Sequence, residues 1–288
     1  MANRPPVRRA RQIGRAFRLW AFFGYLDIQW MLRDLASFAG YLFSDVMGIA
    51  GAISAMLLLS QRFEGLGPWS REHVLFLLGY AVMVNGALDT IFGYNVAFIS
   101  RRIGRGQLDH ILIQPQPIWL TLLTEGFSPA AGLPIFLTGI ALFVWGVASS
   151  ALPLTLGWVA LTAVNFTSSC VILLAFSYAI GSIAFWAPRA AEEINSSSWR
   201  LIGQLRTFPL DGVGRGMLTG LLTVVPAGFI AWYPSRALLG LDATPLAAWL
   251  TPFASLVFGA VAILIFRTGL HHYAHTGSQR YLPYGHRR

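Results

Sequence analysis

Six stretches of this 288-residue chain are each long and apolar enough to cross a bilayer as a helix, and that leaves few other ways to fold it. Crossing about 30 Å of hydrocarbon takes about 20 helical residues. The runs fall near residues 38–60, 73–100, 118–147, 154–185, 216–232 and 245–267. In lipid, a bare strand edge or loop leaves backbone groups unpaired, so helices are required. Composition agrees. Only 11% of residues are charged and mean hydropathy is +0.58, whereas a soluble domain carries roughly 25% charged residues. A soluble core of this size could not hide so much apolar surface. The predicted fold is an all-α polytopic membrane protein with six transmembrane helices.

Orientation follows from the basic residues, all 21 of which are arginine. With the N-terminus in the cytoplasm, the N-terminal segment, the loop after the second run, the loop after the fourth and the tail together place 18 of the 21 inside. Only Arg62, Arg71 and Arg236 fall outside. The positive-inside rule favours this arrangement over its inverse. The absence of lysine also excludes a phosphate-binding loop of the Walker type, whose lysine reaches the phosphates. This chain is therefore not itself a P-loop ATPase. One cysteine, Cys170, sits in an apolar run and permits neither a disulfide framework nor a thiolate metal site.

The segment 8–35 is a different kind of helix. At about 100° per residue, Arg8, Arg11, Arg15, Arg18 and Arg33 share one side, and Ile13, Phe17, Trp20, Ile28, Met31 and Leu35 the other. A basic face opposite an aromatic-rich apolar face suits a helix lying in the membrane interface. A soluble helix packed on a partner is the plainer reading. Nucleic acid would leave the apolar face unused, so no nucleic-acid partner is expected. The chain thus divides into a cytoplasmic N-terminus at 1–37, a transmembrane domain at 38–270 and a basic cytoplasmic tail at 271–288. Residues 187–215 are polar and mixed, and read as a cytoplasmic connection with a short helix at 192–206. No arginine is expected at mid-membrane depth, and no internal repeat is evident.

Four carboxylate or amide groups fall inside the runs. Asn85 and Asp89 lie one turn apart on one face of the second, Asp45 in the first, and Glu125 near the inner end of the third. An intramembrane carboxylate is costly, so Asp89 is expected to face a cavity, a partner subunit or a hydrogen-bond donor, or to be protonated. These four are the candidates for a translocation path, with a structural polar pair as the alternative. His271, His272 and His275 cluster in the tail without a carboxylate, so no metal site is assigned. No nucleophile–base arrangement with usable spacing appears.

The loop at 101–117 reads RRIGRGQLDHILIQPQP within the run that joins two long helices. Its apolar residues suit a short helix docking on a soluble partner; a basic membrane-anchoring loop is the alternative. Together with the Phe-Trp at Phe185–Trp186, the stretch at 208–240 (FPLDGVGRGMLTGLLTVVPAGFIAWYPSRALLG) and the ending at 266–281 (FRTGLHHYAHTGSQRY), it resembles the ABC-2 type permeases. The likeness is to a branch that pairs two permease polypeptides with an ATP-binding-cassette subunit. In the last stretch histidines stand where that family commonly has arginines. The first 100 residues match mainly in topology.

The resemblance implies a permease subunit of an exporter for an amphiphilic or lipid-like substrate, in a bacterial inner membrane with both termini cytoplasmic. ATP and Mg would be bound by two copies of a separate ATPase, and the second permease would be a sister chain or another copy. The family's coupling contact maps to Arg101, Arg102, Gly104, Gly106, Leu108, Asp109, Ile111 and Leu112. Leu108, Ile111 and Leu112 would be the anchors, and Asp109 a polar rim. Phe17, Trp20, Ile28 and Met31 would belong to the family's interface helix. The alternative is a secondary transporter or channel without an ATPase, which predicts paired broken helices and more midplane coupling groups.

Overall fold

The structure, a computed structural model, describes residues 6–62, 67–150, 152–242 and 244–277. Arg4, Arg280, Arg287, Arg288 and the side chains of Arg8, Arg11, Ile13 and Arg62 lie outside the described residues. Among the described residues the regular elements are all helical. They are α1 (Pro6–Arg33), α2 (Leu35–Arg62), α3 (Arg71–Gly104), α4 (Leu108–Leu112), α5 (Ile118–Thr124), α6 (Pro129–Ser149) and α7 (Leu156–Gly181). After α7 come a 3₁₀ turn at Ser182–Phe185, α8 (Pro188–Leu205), α9 (Arg215–Thr223), a second 3₁₀ turn at Pro226–Phe229, α10 (Trp232–Leu238) and α11 (Ala247–Thr276). Five segments meet the length and apolarity of a membrane span: Leu35–Met56, Arg71–Gly93, Pro129–Ser149, Leu156–Phe185 and Ala247–Thr276. The chain is an all-α polytopic membrane protein.

The bundle is organised around α3, whose span is 83% buried, while α2 packs on its side with most residues exposed. Helices in lipid gain nothing from apolar character alone, so close backbone packing must join them. Here glycines do so at seven-residue spacing, about two helical turns. Gly79 and Gly86 of α3 and Gly132, Gly139 and Gly146 of α6 form one seam. A Cβ added at Gly139 would lie 2.3 Å from the Met83 nitrogen, and one at Gly86 2.3 Å from the Phe136 nitrogen. This spacing is an internal regularity that the apolar runs hide.

The third apolar run is two helices, of which α6 alone is long enough to cross. α5 ends at Thr124, and α6 begins at Pro129, where proline's missing N–H costs nothing in the first turn. The break is held to α3, because the Ser128 amide donates to Thr90 O at 2.9 Å and the Ser128 hydroxyl to Asp89 O at 3.0 Å. α1 docks over this break. Trp20 Nε1 donates to Leu123 O at 3.0 Å, and Asp27 accepts from the Ala130 amide at 2.7 Å, at the start of α6. Gly24 permits the approach, since a Cβ there would meet the Phe127 ring at 2.8 Å. Phe17 and Ile28 of α1 are exposed, while Trp20 and Met31 are partly covered.

The fifth crossing differs from the expectation. The run at 216–232 does not cross. α9 and the segment Pro226–Leu238 are bent by 71°, and both ends of this unit lie at the end of the bundle opposite the 101–112 loop. On one side Asp211 meets Trp69, just before α3. On the other Leu238 O accepts from Trp158 Nε1, at the start of α7. Between them the chain dips inward, where Phe229 O accepts from Ser169 of α7 and Ser169 meets the Tyr80 hydroxyl at 3.1 Å.

α8 instead runs along the depth of the bundle. It starts at the loop end, where Glu192 pairs with Arg101 at 2.8 Å, and finishes against Asn85 through Arg206. Residues 187–215 are therefore not a surface connection. Polar residues can sit there because α8 buries one face, with Ala191, Asn195 and Ile202, against α3 and α7 and need not present all sides to lipid. α7 and α11 then run in the same direction, with Asn165 against Ala248 at one end and Tyr178 against Phe266 at the other.

Candidate functional site

Two places hold the sequence-predicted residues. The first is a polar group within the bundle. Asn85 Nδ2 donates to Asp89 Oδ2 at 2.6 Å, the contact that i, i+4 spacing permits on one helix face. Arg206 reaches across from the end of α8 and donates to Asn85 Oδ1. Asp45 of α2 lies within electrostatic reach of Asp89. An arginine does sit at this depth, contrary to the sequence expectation, because α8 carries it there. Its charge offsets that of Asp89 where water cannot. Of the four path candidates, Asn85 and Asp89 are in contact, and Asp45, exposed on α2, acts on Asp89 through its charge alone.

Glu125 is not among them. It pairs with Arg102, both side chains being 19% exposed. Arg102 is 13 residues from Asp89 along α3, or about 20 Å. Glu125 thus stands at the α5–α6 break, tying it to the loop end of α3.

The second place is the loop after α3. Gly106 takes φ +69, the left-handed region that glycine enters without a Cβ clash, and α4 folds back from it. Leu108 is 0% and Ile111 3% exposed. Both pack into this chain's own core with Ile99, Ile103, Leu122, Phe185 and Tyr273. They are not free to anchor a partner, because the five-residue α4 has one apolar face and the bundle occupies it. Asp109 also turns inward and accepts from the Tyr273 hydroxyl at 2.5 Å. What faces outward is Arg105, Gln107, His110, Leu112 and Ile113, the last 80% exposed. Arg101 and Arg102 are partly covered by Glu192 and Glu125, and Gly104 is buried. Tyr273, 164 residues from Asp109, could not be found from the loop's own sequence.

A third group was missed by sequence reasoning. Asp211 accepts from the indoles of Trp69 at 2.5 Å and Trp232 at 2.8 Å, and pairs with Arg236. Arg236 pairs again with Asp242 at 2.9 Å. This cluster staples the dipping segment to the start of α3. The only hint in the sequence is that Asp211 and Arg236 both lie inside the stretch that resembles the permeases.

Among the tail histidines, His272 stacks on Trp186 and His271 lies 4.6 Å from His275, ring to ring. Asn165 is buried and donates to Ala248 O at 3.1 Å, joining α7 to α11. No group of three metal-ligating side chains occurs among the described residues.

No curated protein and no solved structure matches the chain. The family model for "ABC-2 family transporter protein" matches residues 46–277, from within α2 to the last described residue. The matched stretch takes in Asn85, Asp89 and Arg206, the loop and the Asp211 cluster, and starts one residue after Asp45. The chain therefore belongs to the ABC-2 family of transporter proteins and is a multi-pass membrane permease of an ABC transporter.

Proposed function

We propose that this permease exports an amphiphilic or lipid-like substrate, driven by two copies of a separate ATPase that binds ATP and Mg. A second permease, a sister chain or another copy, completes the path. The chain sits in the bacterial inner membrane with both termini in the cytoplasm. Residues 1–37 form its interface segment, 38–270 the transmembrane domain with the coupling loop at 101–117, and 271–288 a basic tail. Arg101, Arg102, Gly104, Gly106, Leu108, Asp109, Ile111 and Leu112 belong to the coupling contact in two roles. The inward residues make α4 rigid, and Leu112, with Ile113 and His110, meets the ATPase.

The observation that carries this reading is the outer face of α8. Glu193, Ser196, Ser197, Arg200 and Gln204 are exposed along an element that runs along the bundle, beside only two large exposed apolar residues, Ile194 and Leu201. Lipid cannot satisfy such a face. A water-filled passage shared with a second permease can, and Asn85 and Asp89 lie inward of it.

Cysteine substitutions test this. In a Cys170→Ser background, Ser197→Cys in the assembled transporter should react with a membrane-impermeant maleimide, and ATP should change the rate. No reaction in any nucleotide state would remove α8 from the path. Co-purification with the ATPase encoded beside the permease tests the partner. If ATPase-dead alleles of every neighbour leave transport intact, the ATP-driven reading fails.

A further inference from the structure

A cavity of about 730 Å³ opens between α3, α5, α7 and α11. Its walls are apolar, with Phe92, Leu122, Leu174, Ile263 and Phe266 among them. It exists because the chain breaks between α5 and α6. α5 is a seven-residue helix that stops at Thr124, so it covers the gap between α3 and α11 only near the loop end. One arginine, Arg267, lines this cavity. α11 has no charged residue from Ala247 to Phe266, so Arg267 marks where its apolar run meets the polar boundary. Gly259, at the other end of the α11 wall, is eight residues away, about 12 Å deeper. Trp119, 54% exposed, lines the cavity as well, and tryptophan favours that boundary.

We propose that this cavity holds an anionic phospholipid of the surrounding leaflet, with an acyl chain between α3, α7 and α11 and its phosphate on Arg267. An apolar cavity of this depth does not hold water stably, and the solvent available in the bilayer is hydrocarbon. Charge complementarity selects the headgroup. Among the described residues no carboxylate pairs with Arg267, and basic pockets between membrane helices bind anionic headgroups. The occupant has a consequence for coupling. Leu122 lines the cavity and also packs in the core cluster with Leu108 and Ile111. A bound lipid therefore braces the wall on which α4 rests. The proposal rests on the chain being a membrane protein. It does not depend on the export reading, because the lipid stays bound and is not the cargo.

The full chain is reconstituted in phosphatidylcholine vesicles containing a minor fraction of brominated phosphatidylglycerol or, in parallel, brominated phosphatidylcholine. Quenching of Trp119 is read as the difference between the native chain and Trp119→Phe. Phosphatidylglycerol should quench more strongly, with an apparent enrichment of about fivefold, the size of one arginine's attraction to an anionic surface. Arg267→Gln should abolish the preference, and Arg215→Gln, at the opposite end, should not. Equal quenching by the two lipids overturns the proposal. So does a preference that survives Arg267→Gln, or one that excess inorganic phosphate relieves. None of these readouts requires transport, so failure here leaves the export reading standing.

Discussion

Asp89 and Arg206 form a charged group inside the bundle with Asn85 between them, and its energetics are those of any desolvated pair. Removing one charge strands the other, at a cost of about 3–5 kcal/mol, while removing both costs far less. Arg206→Met alone should therefore lower the thermal midpoint in detergent much more than Arg206→Met with Asp89→Asn. A double variant as unstable as the sum of the singles would show that the charges do not interact. Asp211 predicts more directly. Asp211→Ala leaves two indole N–H groups without their acceptor while Arg236 keeps Asp242, and should destabilise by about 1–3 kcal/mol. Asp211→Asn keeps an acceptor and should recover part of that loss. The two groups differ in legibility. Asn85 and Asp89 could be paired from i, i+4 spacing, but Arg206 is 121 residues from Asn85 in the chain. Helical periodicity carries no information at that separation.

At the scale of elements, the α3–α6 seam and the α1 clasp invite perturbation. Gly139→Val puts a branched side chain where even a Cβ would lie 2.3 Å from the α3 backbone. Overpacking should cost roughly 1–3 kcal/mol or separate the helices, while Gly203→Val, with open space around it, should be far milder. Equal midpoints for the two variants would dissolve the seam as a stabilising feature. α1 is held by Asp27. Burial pushes its carboxyl above the usual range, and the Ala130 amide pulls it back only in part. The folded state thus favours the protonated form. The stability Asp27 contributes is fully present below the ordinary carboxylate value and is lost as pH rises through the raised one. Asp27→Asn should flatten that dependence in the pH profile of hydrogen exchange in α1. An unchanged profile would assign the effect elsewhere. In the loop, Leu112→Asp with Ile113→Asp should abolish co-purification of the ATPase yet leave the permease folded. Leu108→Asp should instead unfold the loop end, because that side chain is enclosed by its own bundle.

Across the whole molecule, the decisive question is which segment makes the fifth crossing. Either assignment gives six crossings and the same direction for α11, so counting cannot separate them. They differ over residues 207–215. If 187–215 were a connection on the loop side, a cysteine at Gly212 would label from the same face as one at Arg105. With α8 crossing, the two label from opposite faces of sealed vesicles. Labelling from one face would refute the path drawn for α8. Moving Arg215 to the far end and Arg200 and Arg206 into the crossing still leaves most arginines on the loop side, so the expected orientation does not change.

Membrane insertion, helicity and five of the spanning helices were legible in the sequence alone. Each depends on one-dimensional quantities: apolar length against bilayer thickness, and the distribution of arginine between loops. The resemblance carried by 101–115 and 208–240 placed the chain in its family for a similar reason, since motif order is itself linear. Only the tertiary structure decided that the apolar run at 216–232 dips and returns while the polar run at 188–205 packs along the depth of the bundle. Hydropathy assumes that a crossing helix meets lipid on every side. α8 meets α3 and α7 on one face, so its polarity does not forbid that path, and the buried loop residues Leu108 and Ile111 follow the same logic of enclosure.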